Sequence, residues 1–217
     1  MGSLSRTEPM PTDTGRHQTS VEVACFGSVH IDIIAQARST LIMESSNPGN
    51  FTTSIGGVAH NVAIALSSIG RKTALVSCIG DDNEGAEIES MLATSGIDTR
   101  HLHKSETFDT GRYLCIEEPN GELCVAVSDT EALDSLDNEA LNLALETCAE
   151  AKWWFADANL DTAQLARIAD APRRCYLAVD TVSVVKAKNL RRPLHNIDLL
   201  FCNAAEASSL LDTTFRS

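Results

Sequence analysis

The sequence predicts an α/β fold in which helices cover both faces of a parallel sheet and a small separate β layer forms a lid. Three observations predict it. Short apolar runs alternate with helical stretches from Thr73 onward, the pattern of a parallel sheet crossed by helices. Two alternating runs near 110–127 flank Asn120-Gly121, a hairpin turn pair that does not fit that sheet. Finally, Ser54-Ile-Gly-Gly-Val-Ala-His-Asn61 sets two glycines between an extended segment and an apolar-periodic run. Glycine there lets the backbone approach a ligand closely or take positive φ without penalty.

Residues 1–20 are rich in Ser, Thr, Pro and Gly without periodicity and read as a disordered leader. Residues 21–217 then form one domain. Val21–Phe26 is its first strand, ended by Gly27. Ile31–Ala35 and Phe51–Ile55 are extended pieces, so lid strands fall near 30–55 as well as 110–127. A helix follows the glycine pair and runs through Val62–Ile69. Thr73–Ile79 is continuously apolar, as a strand buried in a parallel sheet must be. Asn83–Ala93 is a helix with Gly96 just past its end. Thr110–Ile116 and Glu122–Val127 make the hairpin, and Asn138–Ala149 a helix. Trp153–Ala156, Tyr176–Val179 and Leu199–Cys202 are short strands, separated by helical stretches at Thr162–Ala169 and Ser183–Leu190. Asn203–Leu211 begins a last helix with Asn203 as its cap.

A net charge of −13 over 217 residues argues against nucleic-acid backbone or an anionic membrane as partner. No apolar run approaches membrane-spanning length. Seven cysteines, an odd count without a Cys-x-x-Cys pair, read as small buried hydrophobes in a reducing compartment, the cytoplasm or an organelle. The six histidines show no metal-ligand spacing: His101-Leu-His103 offers two ligands from a strand and no third.

Four groups of residues carry chemistry. Asp32 follows the first strand, and ligands of parallel sheets bind beyond the carboxyl ends of strands. A carboxylate there accepts hydrogen bonds from vicinal hydroxyls, or is an ordinary loop aspartate. Gly56, Gly57 and Asn61 make either a tight turn or a cradle, with the Asn61 amide donating and accepting toward a polyhydroxylated molecule. Gly80-Asp-Asp-Asn-Glu-Gly85 lacks the spaced ligands of a calcium loop and reads as a turn plus helix cap. Asn203 and Glu206, at i and i+3, either serve a hydrated Mg²⁺ near phosphates or form a capping box, and spacing alone favours the box.

Taken in order, Gly27…Asp32, Gly56-Gly57-x-x-x-Asn61, Ile79-Gly-Asp-Asp-x-x-Gly85, the two-stranded lid, Val179-Asp180 and Asn203-x-x-Glu206 resemble the ribokinase-like (PfkB) family of carbohydrate and nucleoside kinases. Gly56-Gly-Val-Ala-His-Asn61 and Val179-Asp-Thr-Val-Ser-Val-Val-Lys186 look most like its pseudouridine kinase branch; ribokinases carry lysine where Val58 stands and asparagine where His30 stands. The resemblance implies a ribokinase-like fold and ATP- and Mg²⁺-dependent transfer of a phosphoryl group to the 5′-hydroxyl of pseudouridine, with ribose or adenosine as alternative substrates. It implies that Asp32, Gly56, Gly57 and Asn61 hold ribose hydroxyls, that Tyr113 and Val125 close over them, and that Asn159 faces the pocket. It assigns Asn203 and Glu206 to the nucleotide phosphates, Glu206 to Mg²⁺, and a homodimer to the lid strands.

The family's catalytic centre is a Gly-Ala-Gly-Asp-type segment whose amides form an anion hole and whose Asp is the base. The last glycine of this sequence is Gly121. The expectation is therefore a domain without its C-terminal part and without catalytic residues of its own: a substrate-binding half or a regulatory chain, inactive alone, with an open sheet edge near Leu199–Cys202.

Overall fold

The computed structural model describes residues 20–214, and the reading of residues 1–20 as a leader falls, except for Ser20, outside them. Among the described residues ten strands form two sheets. β1 (Val23–Phe26), β4 (Thr73–Gly80), β5 (Asp98–Ser105), β8 (Trp153–Asp157), β9 (Tyr176–Asp180) and β10 (Leu199–Phe201) make a sheet in the order β10-β9-β8-β1-β4-β5, with every neighbour parallel. β2 (His30–Ala37), β3 (Gly49–Gly56), β6 (Arg112–Glu117) and β7 (Leu123–Asp129) make a second sheet, ordered β3-β2-β6-β7.

All eight residues of β4 are buried because helices lie on both sides of it. α1 (Val58–Ser68) and α2 (Asn83–Thr94) pack on one face with Val23, Cys25, Leu75, Ile79 and Ile88. α3 (Asn138–Thr147) and α4 (Thr162–Asp170) pack on the other with Phe26, Val76, Trp154 and Leu177. The expected parallel α/β fold is what the chain adopts. Cover is uneven, however. On the α1 face Trp153, Tyr176, Leu199 and Phe201 stay exposed around an apolar groove of about 410 Å³, with the Trp153 and Tyr176 rings 4.9 Å apart.

Three local readings need correction. The strand that carries His101 and His103 has no expected bounds: as β5, Asp98–Ser105, it carries five polar or charged residues in its first six and lies at the sheet edge, where no continuous apolar run is needed. The helix expected over Ser183–Leu190 is only a 3-10 segment at Lys186–Leu190, since Val182 takes φ 62 and the β-branched Val184 and Val185 precede it. Of the seven cysteines five are buried, but Cys124 and Cys202 are exposed. α5 (Ala204–Leu211) starts where its cap Asn203 predicts.

Candidate functional site

Both sheets meet at the carboxyl end of β1. Gly27 adopts φ +146, and a Cβ there would stand 2.4 Å from the Asp157 carboxyl carbon. Ser28 comes next. Its amide and its hydroxyl each donate to Asp157 Oδ2 at 3.0 Å, and its carbonyl accepts from His60 N at 3.2 Å. Gly57, at φ +103, lies so close to that carbonyl that a Cβ would be 2.3 Å from it. Without a side-chain cap of its own, α1 receives the Asp157 carboxylate at its N-terminus instead: Ala59 N donates to Asp157 Oδ2 at 2.8 Å.

Above this joint the second sheet carries Asp32. In register it faces Ser54 on β3 and Tyr113 on β6. Gly56 leaves it room, because a Cβ at 56 would fall 2.1 Å from Asp32 Oδ2. His30 Nε2 sits 3.0 Å from Asp32 Oδ1, a contact not aligned as a hydrogen bond, and the rings of His30 and Tyr113 are 6.5 Å apart. His60 Nδ1 meets Asn61 Oδ1 at 3.0 Å. Burial holds His60 below the usual imidazole range, the Asn61 contact opposing, so the ring is neutral near pH 7.

Asp32 Oδ1, His30 Nδ1 and His60 Nε2 are buried and have no hydrogen-bond partner among the described residues. Buried polar atoms rarely stay unpaired, and three around one glycine pair are an array waiting for a hydroxyl-bearing ligand.

Asn159 is expected at the pocket, and it is drawn into the joint: Nδ2 donates to Ser28 Oγ at 2.8 Å and Oδ1 accepts from Lys186 Nζ. Burial lowers the Lys186 ammonium from its ordinary range, with Asp157 opposing. Asp180 is raised by burial and by Glu206 and Asp157 nearby.

Asn203 and Glu206 form the capping box that spacing favours. Asn203 Oδ1 accepts from Glu206 N at 2.9 Å, and Glu206 Oε2 accepts from Asn203 N at 2.9 Å. Thr181 Oγ1 also donates to Glu206 Oε2, at 2.6 Å, tying the box to the end of β9. Sequence reasoning overlooked Ser28, Asp157 and Lys186. The available signal was a lone acid closing the apolar run Trp153–Ala156. A groove of about 750 Å³ between α3 and α4, whose lining includes Asn142, Arg167 and Asp170 beside Leu145 and Ala166, lies apart from all of these residues.

A family model described as "pfkB family carbohydrate kinase" matches residues 21–215. The chain is 31% identical over 188 residues to a pseudouridine kinase of Escherichia coli, covering 87% of this chain and 60% of that protein. It superposes on a carbohydrate kinase from Agrobacterium tumefaciens with a TM-score of 0.76 at 27% identity, covering 88% of this chain and 63% of the other. At 22% identity and a TM-score of 0.71 it shares the fold of a ribokinase from Cryptococcus neoformans solved with ADP, covering 89% and 60%. The chain thus spans about three fifths of the length of these relatives.

Proposed function

Since the chain belongs to the pfkB family of carbohydrate kinases, we propose that it supplies the substrate-capturing part of an ATP-dependent kinase acting on a nucleoside or sugar hydroxyl, with pseudouridine as the preferred substrate. The observation that carries the reading is the cluster of unpaired buried atoms, Asp32 Oδ1, His30 Nδ1 and His60 Nε2, around Gly56 and Gly57. The Asp32 carboxylate accepts from two ribose hydroxyls. His60, neutral by burial, and Asn61 offer further donors and acceptors. Tyr113, in register with Asp32 on β6, closes the pocket from the small sheet. Pseudouridine is preferred because the named relative at 31% identity is a pseudouridine kinase; ribose and adenosine are the alternatives.

The donor set at Glu206 suits a hard cation in kind but not in number. Both carboxylate oxygens already accept hydrogen bonds, and among the described residues no cluster of three or more His, Cys, Asp or Glu is placed to hold a metal. Glu206 and Asn203 therefore fit Mg²⁺ that arrives hydrated with the ATP phosphates, whose charge it offsets when bound. Phosphoryl transfer also needs an anion hole and a base, and residues 122–217 hold no glycine to build the first. Capture without turnover is the activity assigned to this sequence alone. The cysteine pattern favours a reducing compartment, the cytoplasm first. A homodimer through β3 and β7, the edges of the small sheet, is favoured by the exposed Phe51, Val125 and Val127.

The test is a thermal melt of the purified chain with pseudouridine, uridine, adenosine or ribose, each with and without MgATP. A transition raised by pseudouridine above the other three supports the reading. A transition that none of them moves overturns it.

A further inference from the structure

The chain passes between the parallel sheet and the small sheet at residues 27–29, 57, 106–111 and 130, and two of these crossings are held directly by two aspartates at the ends of parallel strands. Asp157 ends β8, is fully buried, and grips Ser28 in the first crossing through its amide and hydroxyl; it also takes the amide of Ala59, in the first turn of α1 just past the Gly57 crossing. Its other oxygen accepts from Asn159 N at 2.9 Å, so neither carboxylate oxygen is idle. Asp82 follows β4 and grips the crossing at 106–111. Thr110 N donates to Asp82 Oδ2 and Thr110 Oγ1 to Asp82 Oδ1, both at 2.7 Å. Asp82 also caps α2 through Gly85 N at 2.7 Å.

Both clasps are packed without slack. A Cβ on Gly80 would lie 2.4 Å from Thr110 N, and one on Gly27 2.4 Å from the Asp157 carboxyl carbon. Each glycine thus lets backbone seat against the carboxylate clasp next to it.

We propose that Asp157 and Asp82 are positioning residues that set the angle of the small sheet over the glycine cradle, one clasp on each side of the hinge. Charge-assisted bonds from backbone amides to a carboxylate are short and directional, and they hold a joint more tightly than neutral contacts. His30 and Asp32 start three residues or fewer beyond the Ser28–Val29 crossing, so their placement follows from that of Ser28. The assignment of the small sheet to substrate closure rests on the kinase reading; the clasps themselves do not.

The exposed cysteines provide the test. Cys124 lies on β7 and Cys202 follows β10, while the other five are buried, so spin labels on the two report the angle between the sheets. Pulsed electron-electron resonance on the labelled full chain, without ligand, should give one narrow distance distribution. Asp82→Ala and Asp157→Asn should each at least double its width. Asp137→Ala is the control: Asp137 caps α3 through Ala140 N at 2.8 Å and touches no crossing, so it weakens a helix without widening the distribution. Should Asp157→Asn not fold, Ser28→Ala removes the lid-side hydroxyl and must widen it instead. Distributions for Asp82→Ala and Ser28→Ala that superpose on the parent overturn the proposal. Pseudouridine added to the parent separates the two ideas. If no nucleoside changes the distribution while the ligand-free variants broaden, the clasps stand and the kinase reading falls.

Discussion

Gly56 and Asp32 are a matched pair: the backbone of one leaves just the space that the carboxylate of the other fills, and a Cβ at position 56 would lie 2.1 Å from Asp32 Oδ2. The aspartate can stand at the mouth of the cradle only because residue 56 has no side chain. Gly56→Ala should push the carboxylate out of place while the sheet survives. Nucleoside affinity, read by titration calorimetry, should fall at least about tenfold, or about 1.4 kcal/mol. An unchanged affinity would mean that Asp32 is not a ligand for substrate hydroxyls.

The box at the start of α5 makes a second prediction. Asn203 and Glu206 satisfy each other, and Thr181 adds a bond to the same carboxylate. Asn203→Ala removes the cap oxygen and should cost about 1 kcal/mol of unfolding free energy in urea. Glu206→Gln keeps an acceptor for the cap but loses charge. It should cost less stability than Asn203→Ala, yet weaken MgATP binding more if the carboxylate serves the cation. Equal effects of both changes on MgATP would reduce the box to a helix cap alone.

How far the sequence foretold this arrangement differs by element. Asn120-Gly121 announced the β6–β7 hairpin because turn chemistry is local, and Thr73–Ile79 announced a buried strand because burial on both faces demands an unbroken apolar run. The bounds of β5 were not legible for the converse reason, since an edge strand tolerates exposed polar residues such as Arg100 and Lys104 beside the His101–His103 pair. Asp32, Gly56 and Gly57 were legible as a spacing. Asp157 was not, since its partners Ser28 and Ala59 lie 129 and 98 residues away and only the folded sheet brings them together.

Two histidines should make stability depend on pH. Burial is the main cause that lowers both His60 and His101 from the ordinary imidazole value, and both ring nitrogens of His101 are buried without a hydrogen-bond partner among the described residues. Around His101, Asp98 opposes the shift while Arg100 and His103 reinforce it. The sign follows from the charged form being disfavoured in the fold. Above about pH 6.5, where histidine is neutral in the unfolded chain too, the contribution is complete. As pH falls below that value the unfolded chain takes up protons that the folded chain refuses, and stability declines toward the lowered folded values. Urea midpoints should therefore drop between pH 7 and pH 5.5, and His101→Gln should flatten that drop. A His101→Gln profile parallel to the parent would show that this imidazole is not a source of the pH dependence.

The exposed apolar strip on the α1 face bears on how the chain behaves in solution. Among the described residues β10 is the outermost strand of the parallel sheet and its outer backbone groups have no strand neighbour, and Leu199 and Phe201 on it are 42% and 47% exposed. Trp153 and Tyr176 extend the strip across β8 and β9. An unpaired edge beside an apolar face is a template for association. Sedimentation velocity should show mass rising with concentration, and an apolar dye should gain fluorescence on binding. Leu199→Lys together with Phe201→Lys puts two like charges on the strip without touching Leu200 between them, which packs against the opposite core. That double variant should keep its circular dichroism, lose most of the dye signal and stop associating through this face, leaving only the dimer through β3 and β7. A Phe51→Lys variant on β3, at the edge of the small sheet, distinguishes the two candidate surfaces. If it abolishes association and the β10 variant does not, copies of the chain meet through the small sheet, and the strip beside β10 takes no part.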